Sequence, residues 1–352
     1  MDLLEHCKVV ARTDGLSEFD WLELRAKGIG GSDVSAIMET SRYKSRFSLW
    51  ADKTGRARDQ RESKAANWGH RLERTIAEAF AEEYQVAVYW WPVLLRSTKF
   101  DFMLANLDFV ICVDPLGVGC VTDHLEISPP PNIVSILEIK TGAITSRGST
   151  WEWENDGVPY NYALQGMHYS AVTGIDNVTF AALIGGTDIE RDAGGLVVRR
   201  RTYDEGDLEE LEEKEFFFWE FVETDNPPEP DASDATFAAL KAMYPTSVEA
   251  KSIEITSDEL EIYHHWREAK ELSDETEKVA KKLYARLALI VGDAEALKWK
   301  GKTLITYKKT KDGVKVDVDA LLADHPELRE KYEVQKTGHR MMLDKQKREI
   351  VE

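Results

Sequence analysis

Cysteine is scarce in this chain: Cys7, Cys112 and Cys120 are the only three in 352 residues. Their number and scatter exclude a disulfide framework and a four-thiolate metal site, so no zinc ribbon or iron–sulfur cluster is expected and the chain reads as cytoplasmic. Long apolar runs are missing too. No stretch approaches the roughly 18 apolar residues of a membrane span, and Asp2 and Glu5 sit where a signal peptide would be apolar, so neither secretion nor a membrane partner is expected. Net positive charge is also absent, since 45 basic against 64 acidic side chains give −19. Taken as an average, that argues against a nucleic-acid partner. What the chain does have is core material: it is 43% hydrophobic and 10% aromatic, enough to bury a sizeable interior.

The average hides an asymmetry. Residues 201–235 hold 14 acidic and 2 basic side chains, a net of −12, whereas residues 42–74 hold ten basic side chains against four acidic ones, a net of +6. The basic ones are Arg42, Lys44, Arg46, Lys53, Arg56, Arg58, Arg61, Lys64, Arg71 and Arg74. A solvated helix face is one reading of such a run, and a local basic path for a polyanion inside an acidic exterior is the other.

Hydrophobic spacing predicts a helix over 16–27, stopped at Gly28, and a second beginning near Val34 with Ser32 as its N-cap. A third helix is expected over 68–84. Strands are expected over 86–95, 109–113 and 133–139, a helix over 160–173 ended by Gly174, and strands over 178–184 and 196–203. An acidic helix over 207–223 is expected to bury Phe216, Phe217, Trp219, Phe221 and Val222, before Asn226-Pro-Pro-Glu-Pro-Asp231 breaks regular structure. The order of elements gives an α/β class. Its expected extent is 1–231, followed by a linker over 232–256 and a C-terminal α+β appendage over 257–352. The appendage has a long charged helix over 257–291, a lysine-rich strand over 299–309, an Asp312-Gly313 turn with a short strand after it, and a helix near 318–330.

The residues that carry chemistry fall in order: Gly30-Gly31-Ser32-Asp33, Trp68-Gly69 with Glu73, Asn106-Leu107-Asp108, Glu138-Ile139-Lys140, and Tyr162 with Gln165. Strand alternation puts Glu138 and Lys140 on one face and Leu137 and Ile139 on the other. Carboxylates converging on one point repel, and a cation relieves the repulsion. Magnesium suits such a site because it takes hard oxygen ligands and keeps waters, leaving room for a phosphate oxygen and an attacking water. The Ile139 carbonyl offers another oxygen, and Lys140 is placed to position or deprotonate the water, its pKa lowered by a neighbouring divalent charge. That combination is a phosphodiester hydrolysis site.

These motifs carry a resemblance. GIGGSDVSAIM, RYKSRFSLW, WGHRLE, ANLDF, LEIKTG, YALQGMHYSAVTG and the acidic aromatic helix before NPPEPD, in that order over about residues 16–231, resemble the YqaJ viral recombinase family, the lambda-exonuclease-like branch of the PD-(D/E)XK nucleases. The resemblance implies a restriction-endonuclease-like core, a mixed central sheet flanked by helices, and a magnesium nuclease with one or two ions per site, manganese being a substitute. It implies digestion of linear double-stranded DNA 5′ to 3′, a ring-shaped trimer, and work beside a phage single-strand annealing protein in a host bacterial cytoplasm. Asp108 and Glu138 then resemble the metal-binding acids, Lys140 the catalytic lysine and Glu73 an additional acid, with Gln165 and Tyr162 in support. Arg25 and Ser32, seven residues apart, resemble the pair that holds a terminal 5′-phosphate, beside the Gly31 backbone. A glycine-rich loop at a helix start is itself an anion site.

Two departures stand out. The usual Pro-Asp-Gly around the metal-binding aspartate is here Leu107-Asp108-Phe109, with Asn106 before it. The segment between Asp108 and Glu138 is long, and Asp123 and Glu126 within it stay open as alternative ligands. A restriction-like endonuclease on the same core and a catalytically silent DNA-binding module are the competing functions.

Overall fold

The computed structural model describes residues 3–57, 64–143, 151–153, 156–185, 195–311, 313–334, 338, 340–342 and 344. Arg58 and Arg61 of the basic run and Asp312 of the expected turn lie outside them. The chain divides into two compact units, Met1–Pro245 and Thr246–Glu352.

The first unit begins with α1 (Leu3–His6), β1 (Cys7–Arg12), α2 (Glu18–Arg25), β2 (Ile29–Gly30), α3 (Val34–Ile37), α4 (Arg46–Lys53) and α5 (Lys64–Tyr84). Then come β3 (Ala87–Trp90), β4 (Val93–Ser97), β5 (Met103–Ala105), β6 (Phe109–Cys112), β7 (Cys120–Asp123) and β8 (Ile133–Ala143). It closes with α6 (Tyr160–Thr173), β9 (Asn177–Gly185), β10 (Val197–Thr202), α7 (Glu205–Glu223) and α8 (Asp234–Met243). A six-stranded mixed sheet in the order β10-β9-β8-β6-β3-β7 is its centre, and a four-stranded sheet β1-β4-β5-β2 lies beside it in sequence. The expected mixed α/β class is present, with sheets flanked by helices.

The stretch 86–95, expected as one strand, is two strands in two sheets. Pro92 lacks an N–H and cannot extend a ladder, and its carbonyl instead accepts from Thr13 N–H at 2.8 Å, where β1 ends. In the middle of the larger sheet β8 pairs antiparallel with β6 and parallel with β9. It runs past Ile139 because Lys140 to Ala143 go on pairing with Ala182 to Gly185. One face of β8 packs Leu137 and Ile139 with Ile76 and Phe80 of α5; Ile136, on the other face, joins Leu164 of α6 and Phe180 in the main core.

Helix α6 ends at Gly174, which takes the left-handed conformation (φ 71°) and has no room for a Cβ, because the His6 ring would be 2.6 Å away. The acidic helix α7 packs differently from the sequence expectation. Its buried residues are Leu211, Glu212, Glu215 and Phe218, whereas Phe216 and Phe217 are 42% and 49% exposed. The buried stripe advances at helical spacing through two glutamates, each of which has a cationic or imidazole partner: Lys99 for Glu212 at 2.5 Å and His168 for Glu215 at 2.8 Å. Within the stretch 232–256, α8 forms and packs on α4, with Thr236 Oγ1 and Ser45 Oγ 2.7 Å apart, and the first unit extends to Pro245.

The second unit holds α9 (Ser257–Val291), β11 (Ala296–Trp299), β12 (Lys302–Thr306), α10 (Val318–Asp324) and α11 (Glu327–Tyr332). Here the lysine-rich stretch is a hairpin that turns at Lys300-Gly301, both in positive φ, and not a single strand. No strand follows Gly313 among the described residues, and Pro326 splits the expected helix over 318–330 in two. No described helix is long and apolar enough to cross a membrane.

Candidate active site

Glu138 and Lys140 leave β8 toward α6, as strand alternation requires. Lys140 Nζ donates to Glu138 Oε1 at 2.6 Å and to Gln165 Oε1 at 3.0 Å, and Gln165 Nε2 donates to the same Glu138 oxygen at 2.6 Å. The Tyr162 ring lies 4.8 Å from the ammonium, and Tyr169 Oη takes the second Gln165 amide proton at 3.0 Å. Thus α6 supplies Tyr162, Gln165 and Tyr169 from one face, at i, i+3 and i+7. Asp108 arrives from the start of β6, and its carboxylate accepts the Ile139 N–H at 2.9 Å across the sheet.

The charges here are poorly balanced. Burial and the Glu138 charge push the Asp108 carboxyl well above its ordinary range, against the pull of Lys140. Burial raises Glu138 as well, with Lys140 opposing. Burial works to lower the Lys140 pKa, but with no divalent ion at the site Glu138 and Asp108 outweigh it and raise it. Glu138 is 1% exposed and its Oε2 has no hydrogen-bond partner; Asn106 Oδ1, two residues before Asp108, is a second buried oxygen without one. Orphaned buried oxygens beside mutually repelling carboxylates are what a hard divalent cation satisfies, so the residues fit a Mg2+-type ion.

Glu73 stands apart from this pair. Its charge reaches Asp108 and Glu138, but its Oε1 pairs with His70 Nδ1 at 2.9 Å, and that contact raises the His70 pKa against burial. Among the described residues no three His, Cys, Asp or Glu side chains are grouped closely enough to hold one ion. Asp123 and Glu126 are also elsewhere. Asp123 ends β7, three strands from β8 in the sheet order, and binds Arg74 at 2.6 Å; Glu126 accepts from Ser128.

A second cluster adjoins the same face of α6, where Gly31 packs on Gln165 and Tyr169. Arg25 Nη2 donates to Ser32 Oγ at 2.8 Å, so the two residues expected to act together do meet. Ser32 is not the N-cap of α3, however, because Gly31 to Asp33 form a 3-10 turn and its hydroxyl is turned to Arg25. The carboxylate that stabilises the turn belongs to Asp33, which accepts the Gly30 N–H at 3.2 Å. Asp33 is fully buried and gathers Lys53 Nζ at 2.7 Å, Lys44 Nζ at 3.5 Å and Arg25 Nη2 at 3.7 Å. Burial works to raise its pKa, but Lys53, Lys44 and Arg25 together hold it well below the usual carboxylate range. Lys53 also donates to the Arg25 carbonyl at 3.0 Å.

Sequence reading passed over Asp33, Lys53 and Tyr169. The signals were Asp33 inside the Gly-Gly-Ser-Asp motif, Lys53 in the basic run and Tyr169 in YALQGMHYSAVTG, but a buried charge looks like an exposed one in sequence. The basic run around them is also less open than its net charge suggests: Lys44 and Lys53 hold Asp33, Arg46 holds Glu39, Arg56 holds Asp225 and Arg74 holds Asp123.

The two clusters touch through Gly31. A Cβ there would lie 2.7 Å from Tyr169 Cε1 and 2.9 Å from Gln165 Cγ. Gly31→Ala is therefore expected to cost about 1–3 kcal/mol by overpacking. Urea denaturation measures it, and a stability within 0.5 kcal/mol of wild type, roughly the scatter of a surface substitution, would contradict this packing.

The mixed sheet thus presents Asp108 and the Glu138–Lys140 pair to α6, beside the glycine turn that holds Arg25 and Ser32. The chain matches the YqaJ-like viral recombinase domain over residues 20–176. It is 30% identical over 295 residues, 83% of each chain, to "Uncharacterized protein YqaJ" of Bacillus subtilis (strain 168). The chain belongs to the YqaJ-like viral recombinase family. Among solved structures it is similar to an alkaline exonuclease (LHK-Exo) from Laribacter hongkongensis, at 17% identity over 59% of this chain and 94% of that one, with a TM-score of 0.42. The same exonuclease in complex with dAMP gives 16% identity, the same coverage and a TM-score of 0.43.

Proposed function

We propose that the protein is a metal-dependent exonuclease of linear double-stranded DNA, working 5′ to 3′ and leaving 3′ single strands for recombination by annealing. The observation that carries this reading is the orphaned Glu138 Oε2 beside Asp108 and the Lys140 ammonium. When bound at Asp108 and Glu138, with the Ile139 carbonyl as a further oxygen donor, a divalent ion such as Mg2+, or Mn2+ in its place, would supply an activated water and charge for the leaving oxygen, while Glu73, paired with His70, would act on the site through its charge.

Lys140 is held by Glu138 and Gln165 so that its remaining N–H can orient the water or steady the phosphate. Gln165 fixes both partners at once, and the Tyr162 face favours the ammonium form. Arg25, already aligned on Ser32, offers a charge-assisted contact to a terminal 5′-phosphate at the Gly31 turn. A phage-type annealing protein and a trimeric nuclease unit complete the proposal from family membership.

The test is digestion of linear 5′-phosphorylated, linear 5′-hydroxyl and closed circular duplexes, with magnesium and with EDTA. Magnesium-dependent loss of linear ends with circles spared is expected. Arg25→Ala is expected to raise KM for 5′-phosphorylated ends and leave 5′-hydroxyl ends nearly unaffected. Equal attack on circles would favour a restriction-like endonuclease, and binding without cleavage a silent module.

A further inference from the structure

The second unit contains an element that the described residues of that unit leave largely uncovered. Helix α9 is 35 residues long, about 52 Å at 1.5 Å per residue, and Val291 is its single buried residue. A helix of that length gains little from propensity alone and normally depends on packing of an apolar face. Such a face exists. Ile262, Trp266, Ala269, Ser273, Thr276, Ala280, Leu283, Leu287 and Ile290 follow one another at steps of three or four through about four heptads, the spacing of a coiled-coil seam. Along and beside it Ile262, Leu272, Val279, Leu283, Leu287 and Ile290 are 37–69% exposed.

Charge chooses the occupant. Residues 257–277 carry eight acidic side chains against two basic ones, a net of −6, and residues 278–291 carry four basic and no acidic ones, a net of +4. Two copies running in parallel would oppose like halves, whereas two running antiparallel lay each basic end over the partner's acidic stretch. We propose that α9 pairs antiparallel with α9 of a second copy of this chain.

One register satisfies seam, size and charge together. It places Ile262 against Leu287 and Trp266 against Leu283, with the small Ala269 against Ala280 and Ser273 against Thr276 at the centre. Beside that centre Leu272 meets Val279, which extends the apolar strip. On the opposite flank Lys270 meets Glu277, twice by symmetry, as an isologous contact requires. Among the described residues of the unit, Asp344 sits on Tyr263 and Arg267, and Tyr307 on Tyr284, all outside the seam positions.

The experiment is sedimentation of the full chain at tens of micromolar, with variants. Wild type is expected as an even-numbered particle, and Leu283→Glu with Leu287→Glu is expected to halve its mass, whatever the assembly of the first unit. Circular dichroism checks that the fold survives. Lys270→Glu, a surface change that cannot unfold the protein, should weaken association several-fold, and adding Glu277→Lys should restore it. In a Cys120→Ser background, Ala269→Cys with Ala280→Cys should crosslink pairs of chains on oxidation and either change alone should not. A monomer or an odd-numbered wild-type particle, no rescue by the charge swap, or crosslinking by a single cysteine variant as efficient as by the pair would each overturn the proposal. An odd particle that gains mass only with another protein bound would point to a heterologous partner on this face.

Discussion

Replacing Lys140 with alanine is expected to slow cleavage of end-labelled linear duplex by about 10²–10⁴-fold under single-turnover conditions in magnesium, the range that one positioned proton-transfer group supplies. The geometry explains why so small a change is so costly. Lys140 is the only cation within hydrogen-bonding reach of Glu138 among the described contacts, and its charge is the chief counterweight to Asp108 and Glu138. Removing it strips the site of the donor that Gln165 and Glu138 hold in place. Binding of DNA should change little, because Arg25 and Ser32 belong to a different cluster. Gln165→Ala should have a smaller effect, since Lys140 keeps Glu138 as a partner. A Lys140→Ala enzyme that cleaves at the wild-type rate would remove Lys140 from the reaction and with it the proposed site.

Asp33→Ala is expected to destabilise the first unit by about 3–5 kcal/mol, because it leaves Lys53 buried with its countercharge gone. Lys53 is 3% exposed, so water cannot replace the lost carboxylate. For a unit of this size the melting temperature should fall by about 6–20 °C. Asp33→Asn keeps an acceptor for the Gly30 N–H but not the charge, and Asp33→Asn with Lys53→Met should regain much of the loss by removing the stranded ammonium.

The pH dependence follows from the sign of the shift. Asp33 is depressed far below its ordinary 3.8, so its stabilisation is complete above that value and fades only as pH falls below it toward the folded-state value. Asp33 in the wild type should therefore contribute no step in stability from pH 5 to 8 and lose its contribution only in strong acid, whereas in Asp33→Ala burial drives the stranded Lys53 toward the neutral amine and the variant recovers as pH rises. Thermal melts of both proteins across pH check it, and a wild-type loss centred on the ordinary 3.8 would show that Asp33 is not held by its cations. Because Arg25 also leans on Asp33, the same variant should lose preference for 5′-phosphorylated ends if Arg25 holds them.

Much of this protein was legible in the chain itself. Apolar spacing and a glycine stop placed α6 and its end at Gly174, and period-two alternation put Glu138 and Lys140 on one face of β8. Those are local properties, set within a few residues by backbone geometry. The pairing of Arg25 with Ser32 was implied by the family resemblance through their spacing of seven, and the short helix and turn between them bring the two side chains together. Partition of 86–95 between two sheets needed tertiary structure, since a proline says where a ladder breaks but not which strand each half joins. Burial of Asp33, Lys53, Glu215 and His168 was equally invisible. A charged side chain reads as solvent-facing until something packs over it, and what packs over these four comes from α2, α4, α6 and α7, which are far apart in sequence. The sequence by itself determined the elements and the chemistry they carry; only the tertiary structure decided which charges lose water, because desolvation depends on neighbours the chain brings in from a distance.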